Sequence, residues 1–106
     1  MIRYVVAAAA LAASVQVQAA DIEAGKKKAS EICAACHGPD GNSPTGDFPR
    51  IAGQHADYLA KAIRDYKTGA RKNPIMAGFA GALTAKDIDN LAAYYASQPP
   101  VLARKY

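Results

Sequence analysis

The pentapeptide Cys33-Ala34-Ala35-Cys36-His37 constrains this chain more than any other feature, because it contains both cysteines of a sequence of only 106 residues. A domain of this size buries only about 60% of the surface that its unfolded chain exposes, and is commonly marginal without a cross-link or a bound group. Two cysteines form at most one disulfide. The pentapeptide is therefore the first place to look for the group that completes the core.

The spacing of the pentapeptide is that of covalent haem attachment, in which two thiols add to the porphyrin vinyl groups and the adjacent imidazole binds the iron. It predicts one haem c attached at Cys33 and Cys36, with His37 as an axial ligand. A thioredoxin-like thiol pair needs a preceding strand and a βαβ setting. A structural zinc site has only the same three residues and His55 to use, and two of these are adjacent. A plain disulfide leaves His37 unexplained.

The first twenty residues differ in character from the rest of the chain. Arg3 gives a positive start, residues 4–15 are an apolar stretch rich in alanine, and Val17-Gln18-Ala19 has small or short side chains where a signal peptidase cuts. The apolar run is shorter than the roughly 20 residues that cross a bilayer. We predict a cleaved secretory signal peptide over residues 1–20 and a periplasmic domain over residues 21–106, without a transmembrane anchor in the mature form.

The charge pattern argues against a nucleic-acid partner. The formal net charge is +4, and the one basic run is Lys26-Lys27-Lys28. Successive helical residues are about 100° apart, so these three side chains would point in different directions. Nucleic-acid-binding proteins gather their basic residues on one face. No nucleic-acid partner is expected.

Three helices separated by loops account for the apolar pattern of the domain, and no stretch alternates for long enough to predict a sheet. The first helix is predicted to begin at Asp21 and to end at Gly38, and the second to span residues 54–68. The last is predicted to begin at Thr84 and to end before Pro99. The last helix is predicted to begin with a capping box and to bury Ile88, Leu91, Ala92 and Tyr95. Residues 70–83 are predicted to form a loop. The fold class is therefore all-α, with three main helices and long loops around one haem.

Stretches throughout the domain are similar to those of a known family. They are Gly25-Lys26-Lys27-Lys28-Ala29, Cys33-Ala34-Ala35-Cys36-His37-Gly38, Phe48-Pro49-Arg50-Ile51-Ala52-Gly53-Gln54, Tyr58-Leu59, Asn73-Pro74-Ile75-Met76-Ala77-Gly78 and Leu91-Ala92-Ala93-Tyr94-Tyr95. The chain resembles a small class I bacterial cytochrome c, and in particular one domain of the two-domain dihaem cytochromes c. It differs from those proteins in having a single haem motif. The resemblance implies the class I cytochrome c fold.

The resemblance also implies that a methionine binds the iron together with His37. Once Met1 is removed, Met76 is the only methionine left, and it lies among small residues. A thioether ligand raises the reduction potential, which suits an electron carrier. Met76 could instead fill a gap in the core. His55 is the rival ligand, and it would give a bis-histidine iron with a lower potential.

Roles for residues around the haem follow from the same resemblance. Pro49 is expected to accept a hydrogen bond from the His37 imidazole at its carbonyl, although a proline here can also simply shape a turn. Tyr58, Leu59 and Phe79 are expected to pack against the porphyrin, and the alternative is that they act as redox relays.

Three further residues are singled out by their positions. Gly25 is expected to mark a close crossing of the first and last helices, against Leu91 and Tyr94. Arg71 and Asn73 either reach a haem propionate, steady the Met76 loop or lie on the solvated surface.

The expected function is electron transfer in the periplasm by a haem that cycles between Fe(III) and Fe(II). An iron with both axial positions filled has none open for a substrate, so the protein is expected not to be an enzyme. The alternatives are a haem c subunit of a periplasmic dehydrogenase complex and a reactive five-coordinate haem protein. The resemblance implies redox partners, such as a quinol-oxidising complex, a dehydrogenase or a terminal oxidase. A monomer is expected.

Overall fold

The structure is a computed structural model that describes residues 19–101. This part of the chain contains five α-helices and no β-strand. The helices are α1 (Ile22–Ile32), α2 (Ala34–His37), α3 (Ala56–Thr68), α4 (Pro74–Ala80) and α5 (Ala85–Ser97). The predicted all-α class is confirmed.

The predicted signal peptide, residues 1–20, lies outside the described residues except for its last two positions. It stays a prediction. None of the helices within residues 19–101 is both long and apolar enough to cross a membrane.

The first predicted helix is divided into α1 and α2 at Cys33. Asp21 caps α1 by accepting the Ala24 backbone N–H at 3.0 Å. The hydrogen bonds continue past the break, since the Cys33 N–H donates to the Ala29 carbonyl at 2.9 Å and the His37 N–H to the Cys33 carbonyl at 3.0 Å. The interruption is therefore local, and the haem motif follows directly on α1.

α1 and α5 cross in close contact at Gly25. A Cβ atom at this position would lie 2.1 Å from the Asn90 carbonyl oxygen and 2.9 Å from Cβ of Tyr94. The buried Asn90 side chain also accepts the Asp21 backbone N–H at 2.8 Å. The predicted crossing is confirmed, with Asn90, which was not predicted, providing the nearest atoms.

The core centres on α5, which packs against both α1 and α3. Its buried residues are Ile88, Asn90, Leu91, Ala92, Tyr94 and Tyr95. Ala29 of α1, Leu59 and Ala60 of α3, and Leu83 belong to the same apolar cluster. The hydroxyl of Tyr94 donates to the Pro39 carbonyl at 2.7 Å, which attaches the loop after α2 to α5.

The prediction that residues 70–83 form only a loop is wrong, because α4 lies within them. Asn73 is its N-cap, and its Oδ1 accepts the backbone N–H groups of Ile75 and Met76. Pro74 occupies the first turn, where its fixed φ favours the helix and its missing N–H costs nothing. The sequence signal for the start of α4 was the pair Asn73-Pro74. The small residues that follow it hid this signal, because they resemble a loop.

The predicted capping box of α5 is confirmed. Oγ1 of Thr84 accepts the Asp87 backbone N–H, and Oδ2 of Asp87 accepts the Thr84 backbone N–H, both at 3.0 Å. The bond from the Thr84 backbone is the main cause that lowers the pKa of Asp87 from its ordinary value of 3.8.

A pH dependence of stability follows from this shift. A carboxyl group whose pKa is lower in the folded state stabilises the fold at pH values above its ordinary pKa of 3.8. This contribution is lost as the pH falls through the folded-state pKa. We expect Asp87→Asn to lower the free energy of unfolding at neutral pH by less than about 1 kcal/mol, since the carboxylate is largely solvated. Urea unfolding at several pH values should show this difference shrinking in acid. A difference independent of pH would contradict the assignment.

Candidate haem-binding site

A cavity of about 430 Å³ lies between the helices and the loop that follows α2. Its volume is within the range of roughly 300–1,000 Å³ that is usual for cofactor sites. Much of the wall is apolar, and its aliphatic residues include Ile32, Ile51, Leu59, Ile63, Leu83 and Leu91. The functional side chains that reach it are both cysteines and His37 from the haem motif and Met76 from α4.

The His37 ring is buried, and its Nδ1 lies 2.8 Å from the Pro49 carbonyl oxygen. A carbonyl oxygen only accepts, so Nδ1 carries the proton and donates it. In the neutral imidazole Nε2 then keeps its lone pair, and this is the form that binds iron. The predicted contact between Pro49 and His37 is therefore present in the structure.

The two thiols line the cavity, are half-buried and are not joined in a disulfide. Burial raises the pKa of the Cys33 thiol; the nearby Tyr95 hydroxyl opposes this with a smaller effect, and the neighbouring Cys36 adds to the rise. Redox-active Cys-X-X-Cys pairs have lowered thiol pKa values instead. The absence of a strand in residues 19–101 also argues against the thioredoxin-like alternative.

A zinc site has no support from the geometry either. Within the described part of the chain, no three side chains of the His, Cys, Asp and Glu types are grouped closely enough to hold a metal ion. His55, which that alternative requires, is exposed at the N-cap of α3.

The two rival axial ligands are placed differently. Met76 is half-buried and lines the cavity together with the haem motif. His55 is not among the described residues that line it. The structure therefore brings Met76, and not His55, to the cavity that contains the thiols.

The residues predicted to pack against the porphyrin, and Pro49, all line the cavity. Leu59 is 6% exposed and belongs to the core, whereas Tyr58 is 51% and Phe79 42% exposed. Leu59 thus forms part of the inner wall, and the two aromatic rings lie where the cavity meets the surface.

Tyr95 is a cavity residue whose contribution to the site was not predicted. Its side chain is 2% exposed, and its hydroxyl lies close to the Cys33 thiol. Burial raises the pKa of this hydroxyl, so it stays neutral. The apolar periodicity of α5 predicted that the ring is buried, but gave no sign that a polar atom would reach the site.

The donor set and the shape of the cavity fit a covalently held haem. Two free thiols, an imidazole with one nitrogen available and a thioether all reach one largely apolar space. The family comparison decides the question, since the model of the cytochrome c family matches residues 22–98. The chain belongs to the cytochrome c family. Its cytochrome c domain accordingly binds one haem c covalently through Cys33 and Cys36.

Proteins of two lengths are similar to the chain. Cytochrome c4 from Thiocapsa roseopersicina is 46% identical over 82 residues, which cover 77% of this chain and 42% of that protein. The thiosulfate dehydrogenase electron acceptor of Stutzerimonas stutzeri strain A1501 is 43% identical, over 86% of this chain and 45% of its own length. Cytochrome c-554(548) of Halomonas halodenitrificans is 41% identical over 83 residues, which are 76% of this chain and 99% of the relative.

A solved cytochrome structure agrees with the sequence comparisons. The reduced recombinant cytochrome c4 from Pseudomonas stutzeri superposes with a TM-score of 0.72 at 42% identity, over 77% of this chain and 47% of that one. The matched part of the chain therefore spans less than half the length of these two cytochrome c4 relatives. The class I cytochrome c fold and the resemblance to one domain of a longer cytochrome are confirmed.

Proposed function

We propose that the protein is an electron-transfer cytochrome that cycles one haem c between Fe(III) and Fe(II), with His37 and Met76 as the axial ligands. The observation that supports this most directly is the single cavity reached by both attachment thiols, the His37 ring and Met76. When bound, the haem supplies the one-electron couple, and the chain supplies attachment, ligands and an apolar surrounding.

His37 is prepared for its role by the loop that follows α2. The Pro49 carbonyl, 2.8 Å from Nδ1, fixes both the tautomer and the orientation of the ring. A hydrogen bond of this kind also makes the free nitrogen a better ligand. His37 is buried, so competing water has little access to this side of the site.

Iron ligation by Met76 is the reason to propose electron transfer and not catalysis. A thioether in the second axial position leaves no iron position open to a substrate. Leu59, Tyr58 and Phe79 cover apolar parts of the cavity, and their contact with the porphyrin would exclude water and raise the reduction potential. The protein is on this basis a carrier and not an enzyme.

Carbon monoxide binding tests the six-coordinate assignment. The ferrous holoprotein is expected to take up carbon monoxide slowly, because Met76 must leave the iron first, whereas Met76→Ala should bind it at once. Stopped-flow absorbance of the two proteins makes the comparison. Equally fast binding by both would sink the carrier proposal and favour a reactive five-coordinate haem.

The location and partners follow from the predicted signal peptide over residues 1–20 and from the relatives. We place the mature domain, residues 21–106, in the periplasm as a monomer. Its donor would be a dehydrogenase or a quinol-oxidising complex, and its acceptor a redox protein such as a terminal oxidase. The relative that is a thiosulfate dehydrogenase electron acceptor supports a dehydrogenase as donor.

The same relative also supports a second candidate function, that of a permanent haem c subunit of a dehydrogenase complex. The two candidates predict different behaviour on purification from the native periplasm. A free carrier elutes at the size of a monomer and exchanges electrons in solution. A permanent subunit elutes with a larger catalytic chain.

A further inference from the structure

α4, the helix that contains Met76, is weakly supported by packing. It has seven residues, of which Ala80 is buried, Met76 and Ala77 are half-buried and the others are exposed. It packs mainly against α3. Helices shorter than about 12 residues are marginal in water by themselves. The position of Met76 therefore depends strongly on how the two ends of α4 are held.

The C-terminal end of α4 is anchored to the core. The backbone N–H of the buried Leu83 donates to the Ala80 carbonyl at 3.1 Å. The Lys67 ammonium of α3 donates to the Leu83 carbonyl. This end is thus held both by apolar burial and by a hydrogen bond from a neighbouring helix.

The N-terminal end of α4 depends on Asn73. Its Oδ1 accepts the N–H of Ile75 at 3.0 Å and the N–H of Met76 at 3.1 Å. The cap thus bonds directly to the backbone amide of the proposed ligand residue. Two residues earlier, the Arg71 N–H donates to the Asp65 carbonyl at 3.0 Å, which attaches the approach to α4 to the end of α3.

We propose that Asn73 is a positioning residue for the axial methionine, through the hydrogen bonds from its carboxamide to the first turn of α4. The inference rests on the proposed function, in which Met76 is an iron ligand. Without the cap, the first turn unwinds more readily and carries the Met76 backbone with it. The thioether then leaves the iron for a larger fraction of the time, although Met76 itself is unchanged.

Competition with added imidazole measures the fraction of protein in which the Met76 sulfur is detached from the iron. Added imidazole binds ferric iron only when the Met76 sulfur has left, so its apparent affinity rises with the fraction of protein in which the sulfur is detached. The exchange breaks the iron–sulfur bond and forms an iron–nitrogen bond with no change of oxidation state. It is followed by loss of the weak far-red absorption band that a thioether bound to ferric haem produces.

Asn73→Ala is expected to bind imidazole roughly two- to thirtyfold more tightly than the unaltered holoprotein, which is the equilibrium factor that loss of an N-cap produces. Asn73→Ser keeps a neutral capping oxygen and should stay within about twofold of it. Gly78→Ala, in open space within α4, should stabilise the helix and weaken imidazole binding roughly two- to fivefold.

Thr84→Ala is the matched control, because Thr84 caps α5, which does not contain the ligand. It is expected to lower stability in denaturant without changing the imidazole affinity. If Asn73→Ala binds imidazole like the unaltered protein while Met76→Ala lacks the far-red band, the inference about Asn73 is wrong and Met76 remains the proposed ligand. If Met76→Ala keeps the band, both are wrong. An equal effect of Asn73→Ala and Thr84→Ala on imidazole binding would also overturn the inference.

Discussion

Replacing Met76 with alanine is expected to abolish the far-red band of the ferric holoprotein and to lower its reduction potential by on the order of 0.1 V or more, within the roughly 0.8 V range over which axial ligands tune haem. A thioether stabilises the reduced iron, and water or another hard ligand in its place does not. A redox titration followed by visible spectroscopy measures the shift, and the ferric spectrum reports the ligand.

His55→Ala is the control for this experiment. The His55 side chain is exposed, and it is not among the described residues that line the cavity. The variant should therefore keep both the band and the potential. The opposite pattern, with His55→Ala changing the spectrum and Met76→Ala leaving it intact, would show a bis-histidine iron.

Replacing Gly25 with alanine is expected to lower the free energy of unfolding of the holoprotein by about 3 kcal/mol, at the upper end of the usual cost of overpacking. The added Cβ would lie 2.1 Å from the Asn90 carbonyl oxygen and 2.6 Å from its carbon, both rigid backbone atoms of α5. α1 must then move away from α5. A small domain has only about 5–15 kcal/mol of stability in total, so the loss is large.

Gly46→Ala is the matched control, because within the described residues no heavy atom beyond its own chain neighbours lies within 4 Å of its added Cβ, and its φ is not positive. It should change the midpoint of guanidinium unfolding very little. Equal destabilisation by the two substitutions would mean that the crossing at Gly25 is not tight.

Much of the fold could be predicted because its determinants are local. Asp21 caps α1, Gly69 ends α3 in the left-handed conformation, and the pairing of Thr84 with Asp87 begins α5. Each is a signal contained within a few residues. α4 was missed because its seven residues include two alanines and a glycine, too few and too small to show an apolar periodicity.

The residues of the site also divide into those that the sequence predicts and those that it does not. Cys33, Cys36 and His37 form one contiguous motif, and Met76 stood out because no other methionine remains after Met1. The hydroxyl of Tyr95 could not be found from sequence, because the ring occupies an ordinary core position of α5. Only the tertiary structure shows that this polar atom lies buried close to the Cys33 thiol at the cavity.

The attachment residues and the proposed second ligand lie on different parts of the fold. The thiols and His37 follow α1 within one short segment, whereas Met76 is on α4, which packs mainly against α3. The haem attachment residues and the proposed first iron ligand therefore lie within five consecutive residues. Binding of Met76 requires a long loop to close, with its entropic cost. The cofactor would stay on the chain through any partial unfolding, and its colour would report whether the tertiary structure is complete.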